Sequence, residues 1–170
     1  MAGRPEPSAA TGPATDTARY RQVLGHYPTG VAVVTARPAD TAIGLSIGSF
    51  TSLSLEPHLV LFCVDKASTS WPALRDHGIF CANVLAEDQE HVARLFSTSG
   101  ADRFTGLGWH AAPGGSPILD GALAWVECTI ERIDEGGDHW IVIGRVTALD
   151  VAREAPPLVF FRGGYGRDAP

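Results

Sequence analysis

GLSIGSFTSLSLEPHLVLFCVDKASTS, residues 44–70, opens with small and hydroxyl residues in near alternation: Ser46, Gly48, Ser49, Thr51, Ser52 and Ser54. The continuous apolar run Leu59–Val64 follows and predicts a buried strand. The stretch closes with Asp65-Lys66 and the hydroxyl cluster Ser68-Thr69-Ser70, directly before Trp71-Pro72. A strand face of hydroxyls and unencumbered backbone N–H groups can line a flat polar heterocycle. A lysine followed by hydroxyls at a helix start can hold a phosphate. Together these read as a cradle for flavin mononucleotide.

Upstream, Asp16 or Thr17 caps a predicted helix to about Tyr27, with Tyr20, Val23, Leu24 and Tyr27 on one side. Val31–Ala36 and Ala42–Phe50 predict a hairpin around the turn-forming Arg37-Pro38-Ala39-Asp40. Downstream, Ser70 and Pro72 start a short helix over Trp71–Asp76, which Gly78 stops. Ile79–Leu85 reads as a strand. Glu87–Phe96 reads as an amphipathic helix, acidic in its first turn and with Arg94 in its last.

From Ser97 to Pro117 the chain reads as one long loop, of the kind that is usually functional or partner-facing. Gly121–Ile133 and His139–Val151 then predict two long strands joined by the turn Asp134–Asp138. In the first of them, Leu123, Trp125, Glu127, Thr129 and Glu131 alternate with apolar residues, which predicts one wetter face. Pro157–Phe161 is a last strand. This many sequentially paired strands, with few and short helices, predict a mainly β chain forming a closed or nearly closed antiparallel barrel. No GxGxxG stands at a strand–helix joint, so a Rossmann site has no support.

A chain of 170 residues that is 45% hydrophobic and 19% charged fits one globular domain. Residues 1–15 are rich in Pro, Ala, Gly and Ser/Thr and are expected to be a disordered tail, with the domain spanning 16–170. The net charge of −6 argues against nucleic acid or an anionic membrane as a partner. No apolar run reaches the roughly 18 residues of a membrane span, and no secretory h-region opens the chain, so a cytoplasmic protein is expected. Cys63, Cys81 and Cys128 form no CxxC pair and read as buried thiols. Of 13 basic residues, Lys66 is the single lysine, and it lies beside the hydroxyl cluster. The histidines share no metal-ligand spacing, so no metal is expected, and no GxSxG nucleophile motif occurs.

The sequence resembles the flavin reductase-like, FMN-binding split-barrel family, the reductase components of two-component flavin-dependent monooxygenases. The resemblance is carried by PTGVAVVT (28–35), GSFTSLSLEPHLVLFCVDKAS (48–68), FCANVLAEDQ (80–89), RFTGLGW (103–109), GALAWVEC (121–128) and HWIVIGRV (139–146). It implies a homodimeric Greek-key split β-barrel that binds FMN or FAD, with NADH or NADPH as co-substrate. The implied activity is that of an NAD(P)H:flavin oxidoreductase supplying reduced flavin to a partner monooxygenase. Alternatives on the same barrel are a flavoprotein that keeps FMN and acts on a metabolite directly, and a non-enzymatic flavin or haem carrier.

The resemblance also implies site roles. Backbone and hydroxyls of Ser46, Gly48, Ser49, Phe50, Thr51, Ser52 and Ser54 would contact the flavin ring and ribityl chain. Lys66, Ser68 and Ser70 would meet the phosphate, and Cys63, Val64 and Asp65 would also bind the cofactor. Asn83, Arg103, Phe104 and Tyr165 are further matched cofactor positions. His139 would stand by the nicotinamide and align it. Where many members read TANSFTS, this chain has Ser46-Ile47-Gly48-Ser49-Phe50-Thr51-Ser52, so Gly48 offers no asparagine amide.

Overall fold

The computed structural model describes residues 16–98, 100 and 102–166. The tail 1–15 lies outside them. Helix α1 (Thr17–Leu24) is followed by strands β1 (Thr29–Gly30), β2 (Ala32–Ala36), β3 (Ile43–Ile47), β4 (Thr51–Leu55) and β5 (His58–Asp65). Next come α2 (Trp71–His77), β6 (Ile79–Val84), a 3-10 turn at Glu87–Gln89 and α3 (Glu90–Ser97). The chain ends with β7 (Trp109–Ala111), β8 (Pro117–Leu119), β9 (Ala124–Gly136), β10 (His139–Val151), β11 (Val159–Phe161) and β12 (Gly164–Tyr165).

Seven strands form one antiparallel sheet in the order β3-β2-β6-β9-β10-β5-β4. The predicted hairpin of residues 31–50 is β2–β3, in register from Ala32↔Ile47 to Ala36↔Ile43. β9 and β10 pair from His139↔Gly136 to Val151↔Ala124. Their turn is therefore only Gly137-Asp138 rather than Asp134–Asp138, and Gly137 takes the left-handed φ of 74° that a side chain would resist. The inner face of the sheet buries Val34, Phe62, Phe80, Cys128 and Val142, with Trp71 and Leu74 of α2 packed into the same cluster. Phe62 meets Phe80 edge to face at 5.2 Å. Gly144 lets β10 pass over Phe80, whose ring would stand 2.5 Å from an added Cβ. This is the split barrel anticipated from the sequence, and the seam between β3 and β5 is its split.

The complete burial of β2, polar Thr35 included, has a simple cause. Every residue of the strand is buried, because a second cluster forms on the sheet's outer face. There Val31 and Val33 pack with Val92, Ala93 and Phe96 from the α3 side.

Several expectations are corrected. α1 stops at Leu24, and no residue of it is buried: Tyr20, Val23 and Leu24 are exposed, as is Tyr27 beyond its end. The helix expected from Glu87 begins as a 3-10 turn, because Gln89 folds its amide back onto the Ala86 N–H at 3.1 Å. Residues 97–117 are not one open loop, since β7 and β8 pair as a hairpin. Ala112 and Ile118 of that segment pack on Cys81, with Trp125 alongside. This cover dries the Glu127 position of the face expected to be wetter, while Glu131 further along the same face stays exposed and pairs with Arg145. Glu127 is only 1% exposed, and its carboxylate accepts the Gly114 N–H at 2.7 Å and the Ser116 N–H at 3.3 Å. The last strand starts at Val159 and belongs to a separate ribbon in the order β1-β11-β12.

Candidate functional site

Strand alternation prepares the site wall. In β5, Val60, Phe62 and Val64 are buried in the barrel, which turns Cys63 and Asp65 to the other side. Opposite them runs the end of β3 and the turn after it. The two walls are joined by a side chain: Ser49 Oγ accepts the Cys63 N–H at 2.8 Å and donates to the Cys63 carbonyl at 3.2 Å. Beyond β5, Asp65 Oδ1 accepts the Ala67 N–H at 2.8 Å, which turns the chain toward α2.

These elements enclose a cavity of about 630 Å³, within the range of ligand sites. Ser46, Gly48 and Ser49 line one side, and Cys63, Val64 and Asp65 the other. Ser68 and Ser70 lie at one end with Arg103, and His139 is also in the lining. Arg103 reaches in from the segment after α3 and donates to the Thr98 carbonyl, to the Gly44 carbonyl and to Ser70 Oγ at 2.9 Å. Among the described residues its hydrogen-bond partners are all neutral oxygens, an arrangement that could also hold an anion. Ser70 precedes α2 as expected but makes no side-chain cap, its hydroxyl being turned to Arg103.

At the rim, His139 Nδ1 lies 2.8 Å from Asp138 Oδ1. A carboxylate only accepts, so Nδ1 carries the hydrogen and the ring orientation is fixed. The hydrogen bond from His139 holds the Asp138 carboxyl below the usual carboxylate range, with the charges of His139 and Lys66 adding to it.

The other sequence-derived positions lie outside the cavity lining. Thr51, Ser52 and Ser54 continue onto β4, the edge of the sheet, and Phe50 packs against the barrel core. The Lys66 ammonium pairs with Glu135 at 3.3 Å and sits 4.6 Å from the centre of the Trp140 ring. Asn83 is fully buried. Its amide donates to the Val33 and Pro117 carbonyls and accepts the Leu119 N–H at 2.8 Å, which fastens β8 to the sheet. Phe104 borders a neighbouring depression, and Tyr165 packs in the outer cluster with Arg94 over its ring at 5.1 Å.

Reading from the sequence missed Leu45, Ile47, Ala67, Phe96 and Ser97 as lining residues. Phe96 carried the signal of a core face, and it serves both uses. The cysteines divide in the structure. Burial pushes the Cys128 thiol up to about 12 and the Cys81 thiol higher still, while Cys63 is half-buried in the cavity wall. Hydroxyls and backbone along one wall and a guanidinium at the end fit a flat heterocycle carrying a phosphate.

Comparison with known proteins gives the family of the chain. A family model described as "Flavin reductase like domain" matches residues 24–167. The chain is 46% identical over 157 residues to the reductase subunit HsaB of a flavin-dependent monooxygenase from Rhodococcus jostii, covering 92% of this chain and 80% of that protein. It is 47% identical over 154 residues to a flavin reductase from Pseudomonas putida, covering 90% and 91%. Among solved structures, the NADH:FAD oxidoreductase SgcE6 of Streptomyces globisporus, in complex with NAD and FAD fragments, superposes with a TM-score of 0.85. That pair is 38% identical and covers 91% of this chain and 94% of the other.

Proposed function

We propose, from the premise that the chain belongs to the flavin reductase-like domain family, that it is an NAD(P)H:flavin oxidoreductase supplying reduced flavin to a partner monooxygenase. The observation that carries the reading is the single cavity joining the hydroxyl-bearing turn of Ser46–Ser49, Arg103 and His139. When bound, flavin and nicotinamide supply the hydride chemistry between themselves, and the protein supplies binding and alignment.

Each part of the wall has a role in this reading. The backbone of Gly48 and Ser49 and the Ser46 side chain flank the heterocycle. Ser68, Ser70 and Arg103 hold the phosphate end. His139, oriented by Asp138, aligns the nicotinamide at the rim and transfers no proton. Among the described residues no cluster of side chains could hold a metal ion, and none is needed for this transfer.

The active form is a homodimer. Its support is the apolar surface one copy leaves uncovered: Tyr20, Val23 and Leu24 on α1, Leu55 on β4, and Leu149 and Val151 on β10. Among the described residues no helix is long and apolar enough to cross a membrane.

NADH and NADPH oxidation are measured with the purified protein as FMN or FAD is added. Turnover that rises with added flavin is the expected result. A tightly held flavin without turnover would instead make the protein a carrier.

A further inference from the structure

Lys66 stands behind the turn that carries His139. β10 is paired with β5 up to His139↔Asp65, and one step further the Lys66 N–H donates to the Asp138 carbonyl at 3.0 Å. On the other side of β10, Trp140 is the cross-strand partner of Glu135 in β9. The Lys66 ammonium reaches both members of that pair, at 3.3 Å from the Glu135 carboxylate and 4.6 Å from the centre of the Trp140 ring. Backbone and side chain of one residue thus hold both arms of the Gly137-Asp138 turn.

His139 and Trp140 are neighbours in a strand, so their rings point to opposite faces. His139 lines the cavity, whereas Trp140 packs against the barrel core and Lys66 is not in the cavity lining. Lys66 therefore braces the turn from the face away from the ligand. The His139 ring is oriented by Asp138 at 2.8 Å, and Asp138 is itself one of the two turn residues. Its side chain is 93% exposed, so packing does not hold it and the turn must. A partly exposed ion pair and a cation over a ring add little to stability. Alignment is more demanding, since a displacement of about 1 Å at a reacting group already slows transfer.

Resting on the flavin reading above, we propose that Lys66 is a positioning residue for the reduction step. It fixes the β9–β10 turn and, through Asp138, the His139 ring that aligns the nicotinamide, and it touches neither flavin nor nicotinamide. The lysine that residue order alone assigns to a phosphate acts instead on the histidine at the opposite side of the strand.

Reduction of the FMN-loaded chain by NADH is followed by stopped flow in wild type, Lys66→Met, Lys66→Arg, His139→Ala and the double variant Lys66→Met with His139→Ala. Lys66→Met is expected to lower the limiting rate about tenfold, with FMN affinity and the urea midpoint near wild type. Lys66→Arg, whose guanidinium can make both contacts, should recover most of the rate. In the His139→Ala background Lys66→Met should cost nothing further, because a residue acting through the ring is silent once the ring is gone. A wild-type rate in Lys66→Met overturns the proposal. The same loss in both backgrounds also overturns it and gives Lys66 a direct role. A loss of FMN affinity that riboflavin does not share overturns it as well and returns Lys66 to the phosphate. A wild-type chain that neither NADH nor NADPH reduces overturns the flavin reading together with the proposal.

Discussion

The Ser49 hydroxyl sits across the Cys63 peptide, taking its N–H at 2.8 Å and giving to its carbonyl at 3.2 Å. One side chain thus stands where a strand neighbour would, and it holds the β3 side of the barrel to β5 beside the cavity. A hydroxyl that reads from the sequence as a ligand contact is engaged in closing the wall. The backbone of Gly48 and Ser49 is what it leaves for the ligand.

Ser49→Ala should therefore act on stability as well as on binding. It unpairs two peptide groups that are only partly buried, so a loss of about 1–2 kcal/mol is expected. Urea denaturation of the ligand-free protein measures it. A midpoint equal to wild type would show that the seam is held by other contacts.

Arg103→Met removes the cation at the phosphate end. FMN affinity should fall about tenfold or more while riboflavin, which has no phosphate, loses far less. Lys66→Met, by contrast, breaks a surface contact with Glu135 and Trp140 and should leave the FMN-to-riboflavin ratio near wild type. A larger effect on that ratio from Lys66→Met than from Arg103→Met would move the phosphate to the lysine.

His139→Ala should slow reduction of bound flavin by NADH by up to about a hundredfold while flavin affinity stays close to wild type. Asp138→Asn, which loosens the ring without removing it, should cause a smaller loss. Stopped-flow reduction across a range of NADH and NADPH separates a slower transfer from weaker nicotinamide binding. Rates for both variants at the wild-type value would leave His139 without a role in alignment.

The same pair has a pH signature. Asp138 is held low in the folded chain, so its contribution is present above the ordinary carboxylate pKa of about 3.9 and is lost as pH falls through the lower folded value. Carboxyl titration by NMR should place Asp138 below the ordinary range in wild type. In His139→Ala it should rise toward that range, because the hydrogen-bond donor is gone.

Glu127→Ala strands the buried Ser116 N–H and unpairs the N–H of Gly114, at the tip of the β7–β8 hairpin. A loss of roughly 3 kcal/mol is expected in chemical denaturation. Trp125, packed against the same cluster, supplies the fluorescence signal. An effect below about 0.5 kcal/mol would place Glu127 among ordinary surface carboxylates.

A second copy covering α1 and the free end of β10 should make the particle twice the 18.0 kDa of one chain in light scattering at micromolar concentration. Leu149→Glu together with Val151→Glu should shift it toward a single chain. A single-chain mass for the wild-type protein would remove the dimer.

Local patterns determined much of this protein from the sequence by itself. The β-branched run of β2, the alternation along β9 and β10, the Asp16 cap and the Gly78 stop are written in neighbouring residues, because backbone preference and side-chain period act over a few positions. The hydroxyl stretch and Arg103 were legible as candidates for the same reason: residue type and order mark the chemistry. Which side chains line the cavity was decided only in three dimensions. Lys66 is drawn away by Glu135 and Trp140 of the β9–β10 hairpin, and Ser49 is engaged by Cys63 across the seam. Asn83 is enclosed by the hairpin that Pro117 and Leu119 bring over it, and Glu127 is buried under the same cover. In each case the deciding neighbour comes from another part of the chain, and a polar group leaving water takes the partner that the fold brings to it.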